Sequence, residues 1–208
     1  MKIILTNFKR ITIDKINLNT LSKRAVQKIE KLKDINPERA VQCAIGDLLL
    51  KRELEQRQIK SAEVLENING KPYLSTKDFH FNIAHQNTVV AFATFDGSVG
   101  IDIQALTDEN TKLLSVVLNE LELDNYNALP DSAQKTKYFY RCFTEKEAYV
   151  KFKGESLPYP PSSIKSYEGA KFVTKYLFLD NLVYCLTVCA SDIKSIKFEV
   201  VNAYDLIK

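Results

Sequence analysis

The apolar and polar positions fall into runs of two different periods. Lys2 to Phe8 reads as a first strand, and Leu18 to Lys33 as a basic helical stretch. Pro37 opens a stronger helix, because Val41, Ala44, Ile45, Leu48 and Leu49 recur at core-facing helical spacing and proline suits a first turn. "NGKPYL" marks a turn. "FHFNIAH" and "TVVAFATF" read as paired strands, and "DGS" links them tightly to "SVGIDIQ", giving a meander over residues 79–104. In "SVGIDIQ", Val99, Ile101 and Ile103 share one face of a strand, and Asp102 and Gln104 share the other.

The period then becomes helical again. "DENTKLLSVVLNELELDNYNAL" predicts one or two helices, and Asp131 caps a long one that Gly154 stops. "ESLPYPPSS" is excluded from helix and central strand by its prolines. "KFVTKYLFL", "LVYCLTVCA" and "SIKFEVV" alternate as antiparallel strands do. The order strands, helix, strands thus occurs twice, and "TVVAFATFDGS" resembles "YCLTVCASD" near the end of each half. The expected fold is α+β, with two pseudo-symmetric lobes, 1–99 and 100–208, each an antiparallel sheet on a long helix. A cleft between such lobes is a common ligand site.

Composition narrows the function classes. The 208 residues are 45% hydrophobic and 26% charged, which suits one large domain or two packed lobes. A formal charge of +3 is too small to imply nucleic acid but agrees with a protein that handles phosphates or acidic partners. Cys43, Cys142, Cys185 and Cys189 form no CxxC pair and read as reduced residues of an intracellular protein. "MKIILTNFKR" is interrupted by charge too soon for a signal peptide, and no apolar run approaches the ~20 residues of a membrane span. A cytoplasmic location is expected.

The candidate chemistry lies in "FTEKEAYVKFKG", residues 143–154. On a helix Phe143, Glu147 and Lys151 share a face, with Lys146 and Val150 nearby. Aromatic residues surround this helix, so it is packed on more than one side, and buried charges there need partners. If Asp102 converges on Glu147, the two carboxylates repel, and a cation with few protein ligands, Mg²⁺ above all, is the simplest remedy. Otherwise Asp102 ends its strand in solvent and Glu147 pairs only with Lys151.

Four segments in order, "GKPYL" (70–74), "FNIAH" (81–85), "VGIDIQ" (99–104) and "FTEKEAYVK" (143–151), resemble the signatures of the surfactin-synthetase-activating type of 4′-phosphopantetheinyl transferase. The typical forms are G-K-P, F-N-x-S-H, G-x-D-x-E and W-x-x-K-E-x-x-x-K. The likeness spans about residues 37–165. It implies the two-lobed fold of that family, with coenzyme A as co-substrate bound between the lobes. A serine hydroxyl of an apo acyl or peptidyl carrier protein attacks its β-phosphate, and adenosine 3′,5′-bisphosphate leaves. Carried over by position, Asp102, Glu147 and Gln104 are the expected ligands of Mg²⁺, with Mn²⁺ as an alternative. Asp102, Glu147 and Lys151 are the expected catalytic residues. Lys71, Pro72, Tyr73, His85, Arg39 and Lys151 are the expected coenzyme A contacts, and Lys23, Arg24 and Lys28 stand as further phosphate contacts or as a solvated face. The expected protein is a monomer with no nucleic-acid or membrane partner.

The sequence also departs from that pattern. Gln104 replaces an acid, Phe143 a Trp, Ala84 a Ser, and Gln42 stands where an Arg is expected, with Arg39 one turn earlier. Most of these changes weaken charge contacts to coenzyme A. They leave open a second reading, a non-catalytic member that binds coenzyme A or a carrier protein. Carrier docking is expected on "KFKGESLPYPPSS", with Leu157 and Tyr159 as its apolar contacts.

Overall fold

The computed structural model describes residues 1–107 and 111–208. Strand β1 (Lys2–Asn7) is followed by helices α1 (Lys23–Leu32) and α2 (Pro37–Gln56). Short strands β2 (Val64–Glu66) and β3 (Pro72–Leu74) lead to β4 (His80–Gln86), β5 (Val89–Phe95) and β6 (Val99–Ala105). Helices α3 (Leu114–Val117), α4 (Glu120–Asn127) and α5 (Ser132–Lys153) come next, then β7 (Lys171–Leu179), β8 (Leu182–Ala190), β9 (Lys197–Asn202) and α6 (Ala203–Leu206).

The architecture is the expected α+β mixture of helices and largely antiparallel sheets. One sheet has the order β4-β5-β1-β9 and another β6-β8-β7. They face each other across a shared core, in which Ile3, Leu5, Ala91 and Ala93 meet Val99, Ile101, Ile103 and Leu186. Helix α2 covers the outer face of the first sheet, where Ile45 and Leu49 pack with Ile4, Val90 and Phe92. That sheet is therefore buried on both faces, which is why β5 is buried continuously from Val89 to Thr94 and is apolar there except for Thr94. Helix α5 lies against β6 and β8 on the outer side of the second sheet. The layer order is helix, sheet, sheet, helix. Burying Ile101 and Ile103 completely is worth ~1.5–3 kcal/mol each, so a one-residue slip of β6, which would turn Asp102 into this core, is strongly disfavoured.

Local signals set most boundaries. Asn36 caps α2 by accepting from the Arg39 amide, and Asp131 caps α5 by accepting from the Gln134 amide. Gly154 ends α5 in the left-handed region at φ 75°. One stretch differs from expectation. Leu18–Thr20 is a separate turn of 3-10 helix capped by Asn17, and α1 begins only at Lys23, where Ser22 caps it anew. The start of the stretch expected as one or two helices, residues 108–110, lies outside the described residues; its remainder opens with a 3-10 turn and then forms two helices, α3 and α4, within the expectation. The last strand also crosses back. β9 pairs in parallel with β1, Ile3 opposite Phe198 and Leu5 opposite Val200, so the first sheet holds a strand from each end of this sequence. Ion pairs reinforce it: Lys2 reaches both Glu53 of α2 and Glu199 of β9, and Arg52 reaches Glu199.

Candidate active site

The site depends on a close approach of two backbones. A Cβ on Gly100 would lie 1.9 Å from the Ala148 carbonyl oxygen and 2.5 Å from the Phe152 nitrogen. Only glycine lets β6 rest directly on α5. Alternation then turns Gly100, Asp102 and Gln104 toward that helix. Asp102 is buried, 3% exposed. Lys151 Nζ donates to its Oδ1 at 2.6 Å and stands 3.8 Å from Glu147 Oε2. Gln104 Nε2 donates to Asp102 Oδ2 at 3.2 Å. A carboxylate only accepts, so the amide meets it through its nitrogen. Burial pushes the Glu147 carboxyl up; Lys151 lowers it and Asp102 raises it further.

Glu147 and Lys151 line one end of a cleft of about 390 Å³. Its other wall comes from α1, α2, the turn before β3, and β4. Arg24, Lys28, Arg39, Lys71 and His85 stand on that wall, together with Gly70 and Pro72. Lys23 is exposed and apart from it, and Tyr73 is 40% exposed outside the lining. Arg24 is paired with Glu66. Arg39 Nη1 donates to Gln42 Oε1 at 3.1 Å, and Gln42 Nε2 in turn donates to the Asn87 carbonyl at 2.8 Å. The two residues that share the place of one expected Arg are thus joined. His85 is pushed down to about 3, by burial first and then by Arg39, Lys151 and Lys28. It is neutral at pH 7, in a cleft with an excess of nearby positive charge.

Several contacts that build the site were not assigned from the sequence. Buried Asn82, inside "FNIAH", accepts the Ile101 amide at 2.9 Å and so ties β4 to β6. Asn67 and Asn69 donate to the Gly154 carbonyl at 2.8 and 2.9 Å, holding the turn before β3 against the end of α5. Lys71 Nζ donates to the Val99 carbonyl at 3.0 Å and to the Lys151 carbonyl, and burial pushes its pKa down to about 8. Its ammonium therefore binds the backbone of β6 and of the last turns of α5. The motif strings carried the signals for Asn82 and Lys71, but a string does not say what a side chain bonds. Lys146 leaves the group altogether: it is fully buried and donates to the Val117 carbonyl at 2.7 Å and Glu122 at 2.6 Å. Leu157, half-buried, lines the cleft beside Glu155 and Ser156, whereas Tyr159 is 87% exposed.

Comparison with known proteins places part of the chain in a family. The sequence profile of the 4′-phosphopantetheinyl transferase superfamily matches residues 98–183. The 4′-phosphopantetheinyl transferase gsp of Aneurinibacillus migulanus is 30% identical over 158 residues, 73% of this chain and 65% of that protein. Residues 98–183 belong to the 4′-phosphopantetheinyl transferase superfamily. The 4′-phosphopantetheinyl transferase Sfp of Bacillus subtilis (strain 168) is 28% identical over 130 residues, 61% of this chain and 58% of that protein. HetI of Nostoc sp., also named a 4′-phosphopantetheinyl transferase, is 33% identical over 95 residues, 42% of this chain and 40% of that protein. The chain thus spans less than two thirds of the length of these relatives. The superfamily segment opens at "SVGIDIQ" and contains Asp102, Gln104, Glu147 and Lys151. The cationic wall of the cleft precedes it.

Among the described residues no group of three or more His, Cys, Asp or Glu is placed to hold a metal. The superfamily segment offers a smaller set, two carboxylates and an amide. These fit a hard cation in one respect: Asp102 and Glu147 already converge on one positive charge, the Lys151 ammonium. Among the described residues no helix is long and apolar enough to cross a membrane. The four cysteines are free, Cys43 half-buried and the others buried.

Proposed function

We propose that this protein is a 4′-phosphopantetheinyl transferase, which moves the phosphopantetheine arm of coenzyme A to a serine of an apo acyl or peptidyl carrier protein. One observation carries the reading. An acid-and-lysine cluster within the superfamily segment closes one end of a cleft whose opposite wall is cationic. Such a cleft suits a nucleotide with several phosphates.

In this reading Lys28, Arg39 and His85 hold the phosphate groups of the adenosine portion, and the backbone of Gly70–Pro72 with Leu157 borders the base. Lys151 binds a pyrophosphate oxygen and opposes the charge that grows on the leaving group. Glu147, whose carboxyl burial pushes up, takes the proton of the serine hydroxyl directly or through a water. The serine oxygen then bonds to the β-phosphorus. The bond from that phosphorus to the bridging oxygen breaks, and adenosine 3′,5′-bisphosphate leaves with the electron pair. Asp102, Glu147 and Gln104 would hold a divalent cation, Mg²⁺ or Mn²⁺, which when bound neutralises charge on the pyrophosphate. In this reading the protein acts as a cytoplasmic monomer.

The test is to incubate an apo carrier protein with coenzyme A, Mg²⁺ and this protein, and to follow the carrier by mass spectrometry. The carrier should gain a phosphopantetheine arm, and Glu147→Gln and Asp102→Ala should abolish the gain. Unchanged activity in both variants would overturn the site. Gln104, in place of an acid, favours a second reading, ligand binding without transfer. It predicts thermal stabilisation by coenzyme A with no mass gain under any divalent ion.

A further inference from the structure

Asp102 is closed from both sides by residues of this chain. Lys151 takes its Oδ1 at 2.6 Å and the Gln104 amide takes its Oδ2 at 3.2 Å. The carboxylate is 3% exposed and stands behind Lys151 and Glu147, which form the cleft wall. The lysine also lies 3.8 Å from Glu147, so one ammonium serves both acids. Two carboxylates and one ammonium leave a single net negative charge. With an acid in place of Gln104 the cluster would carry one more, and that residue could not donate to Asp102.

We infer that Lys151 and Gln104 form a latch on Asp102, so that the free protein binds a divalent cation poorly and takes one up only together with a polyphosphate anion. The inference rests on the transferase reading of the cleft and specifies how the cluster is loaded. A cation arriving alone meets an ammonium in the space between its two carboxylate ligands. It must displace that charge into a cleft already carrying Lys28 and Arg39. An anion in the cleft reverses the balance. It offers Lys151 new oxygen partners, offsets the cationic wall, and supplies the cation with the anionic oxygens that an amide at position 104 does not provide. Gln104 is then the residue that makes loading conditional, and Lys151 the residue that moves.

Mn²⁺ uptake by the full chain tests this without any turnover. Water proton relaxation reports Mn²⁺ bound to protein, with and without inorganic pyrophosphate, after subtracting the Mn²⁺–pyrophosphate baseline. The wild type should bind Mn²⁺ at least ~10-fold more tightly with pyrophosphate than without it. Gln104→Glu and Lys151→Met should each raise the Mn²⁺ affinity of the anion-free protein by ~10-fold or more. Far-UV circular dichroism confirms that each is folded. Gln104→Glu, a near-isosteric change at a half-buried position, keeps the test decisive if Lys151→Met fails to fold. Equal Mn²⁺ affinity with and without pyrophosphate, or no gain in Gln104→Glu, overturns the latch and leaves the transferase reading standing. No uptake in any state or variant overturns both the latch and the assignment of a cation to this cluster.

Discussion

Helix α5 presents two lysines, five residues apart, to two different surroundings. Lys146 is fully buried and its ammonium is enclosed by the Val117 carbonyl and Glu122. Glu122 is itself committed, because it accepts the Asn119 amide in the capping box of α4. Lys151 has a side chain 28% exposed and is shared between two carboxylates at the edge of an open cleft. Both are lysine–carboxylate contacts, yet one is complete and the other is not. A closed pair fixes where α3 and α4 sit against α5. An unbalanced cluster at a cleft can exchange one charge for another. In the proposed reading the difference separates a lysine that builds the site from one that meets a ligand.

The comparison presupposes that α5 is seated on β6, and Gly100→Ala attacks that premise. Its methyl group meets helix backbone, which cannot rotate away, so the loss should exceed ~4 kcal/mol, in the range of the most damaging single changes. Urea unfolding, or loss of soluble protein, would register it, and a near-normal midpoint would contradict the packing described. Lys146→Met should cost ~3 kcal/mol or more, because it takes from half-buried Glu122 the one cation it is paired with among the described residues. Transfer should survive in whatever fraction remains folded.

Lys151→Met should behave in the opposite way. Transfer should fall ~100-fold, equivalent to ~2.7 kcal/mol of barrier, with a smaller loss of stability than Lys146→Met. Equal stability losses in the two variants would dissolve the contrast. The smallest effect concerns His85. In the free protein it is neutral until pH approaches 3, well below its unfolded value of ~6.5, so its burial favours the fold above ~pH 6.5 and that contribution is lost as pH falls toward 3. A bound phosphate raises its pKa, so the bound state holds more protons than the free one. Binding of adenosine 3′,5′-bisphosphate should therefore take up a fraction of a proton and tighten as pH falls from 8 to 6. Calorimetry in two buffers of different ionisation enthalpy measures this, and His85→Asn should remove it.

Much of the fold and site is readable along the chain because it is set locally. Asp131 and Gly154 bound α5, and the alternation in "SVGIDIQ" puts Asp102 and Gln104 on the helix-facing side. Helix geometry also separates the two lysines, against the expectation that Lys146 lies near Glu147 and Lys151. Five residues at 3.6 per turn leave the lysines about 140° apart, too far to share a face. Other features depend on what folding brings together. Neither the bond of Asn82 to β6 nor the backbone contacts of Lys71 can be read from spacing, since their partners lie on other elements. Leu157, expected at a carrier-docking surface, borders the cleft beside Gly70–Pro72, because Asn67 and Asn69 draw that turn to Gly154. The parallel pairing of β9 with β1 joins segments almost a whole sequence apart and leaves no local trace.

That pairing has a consequence for synthesis. On the ribosome, β1 is made well before β9, the strand that covers its outer edge. Until β9 arrives, β1 offers a row of unpaired amides and carbonyls to any neighbouring nascent chain. Closing the sheet at such long range is entropically costly and slow, so the sheet of β4, β5 and β1 reaches its final form only after β6 to β9 have been translated. Aggregation during expression should therefore concentrate in chains stalled or cut before Lys197, while the core that joins the two sheets is already in place.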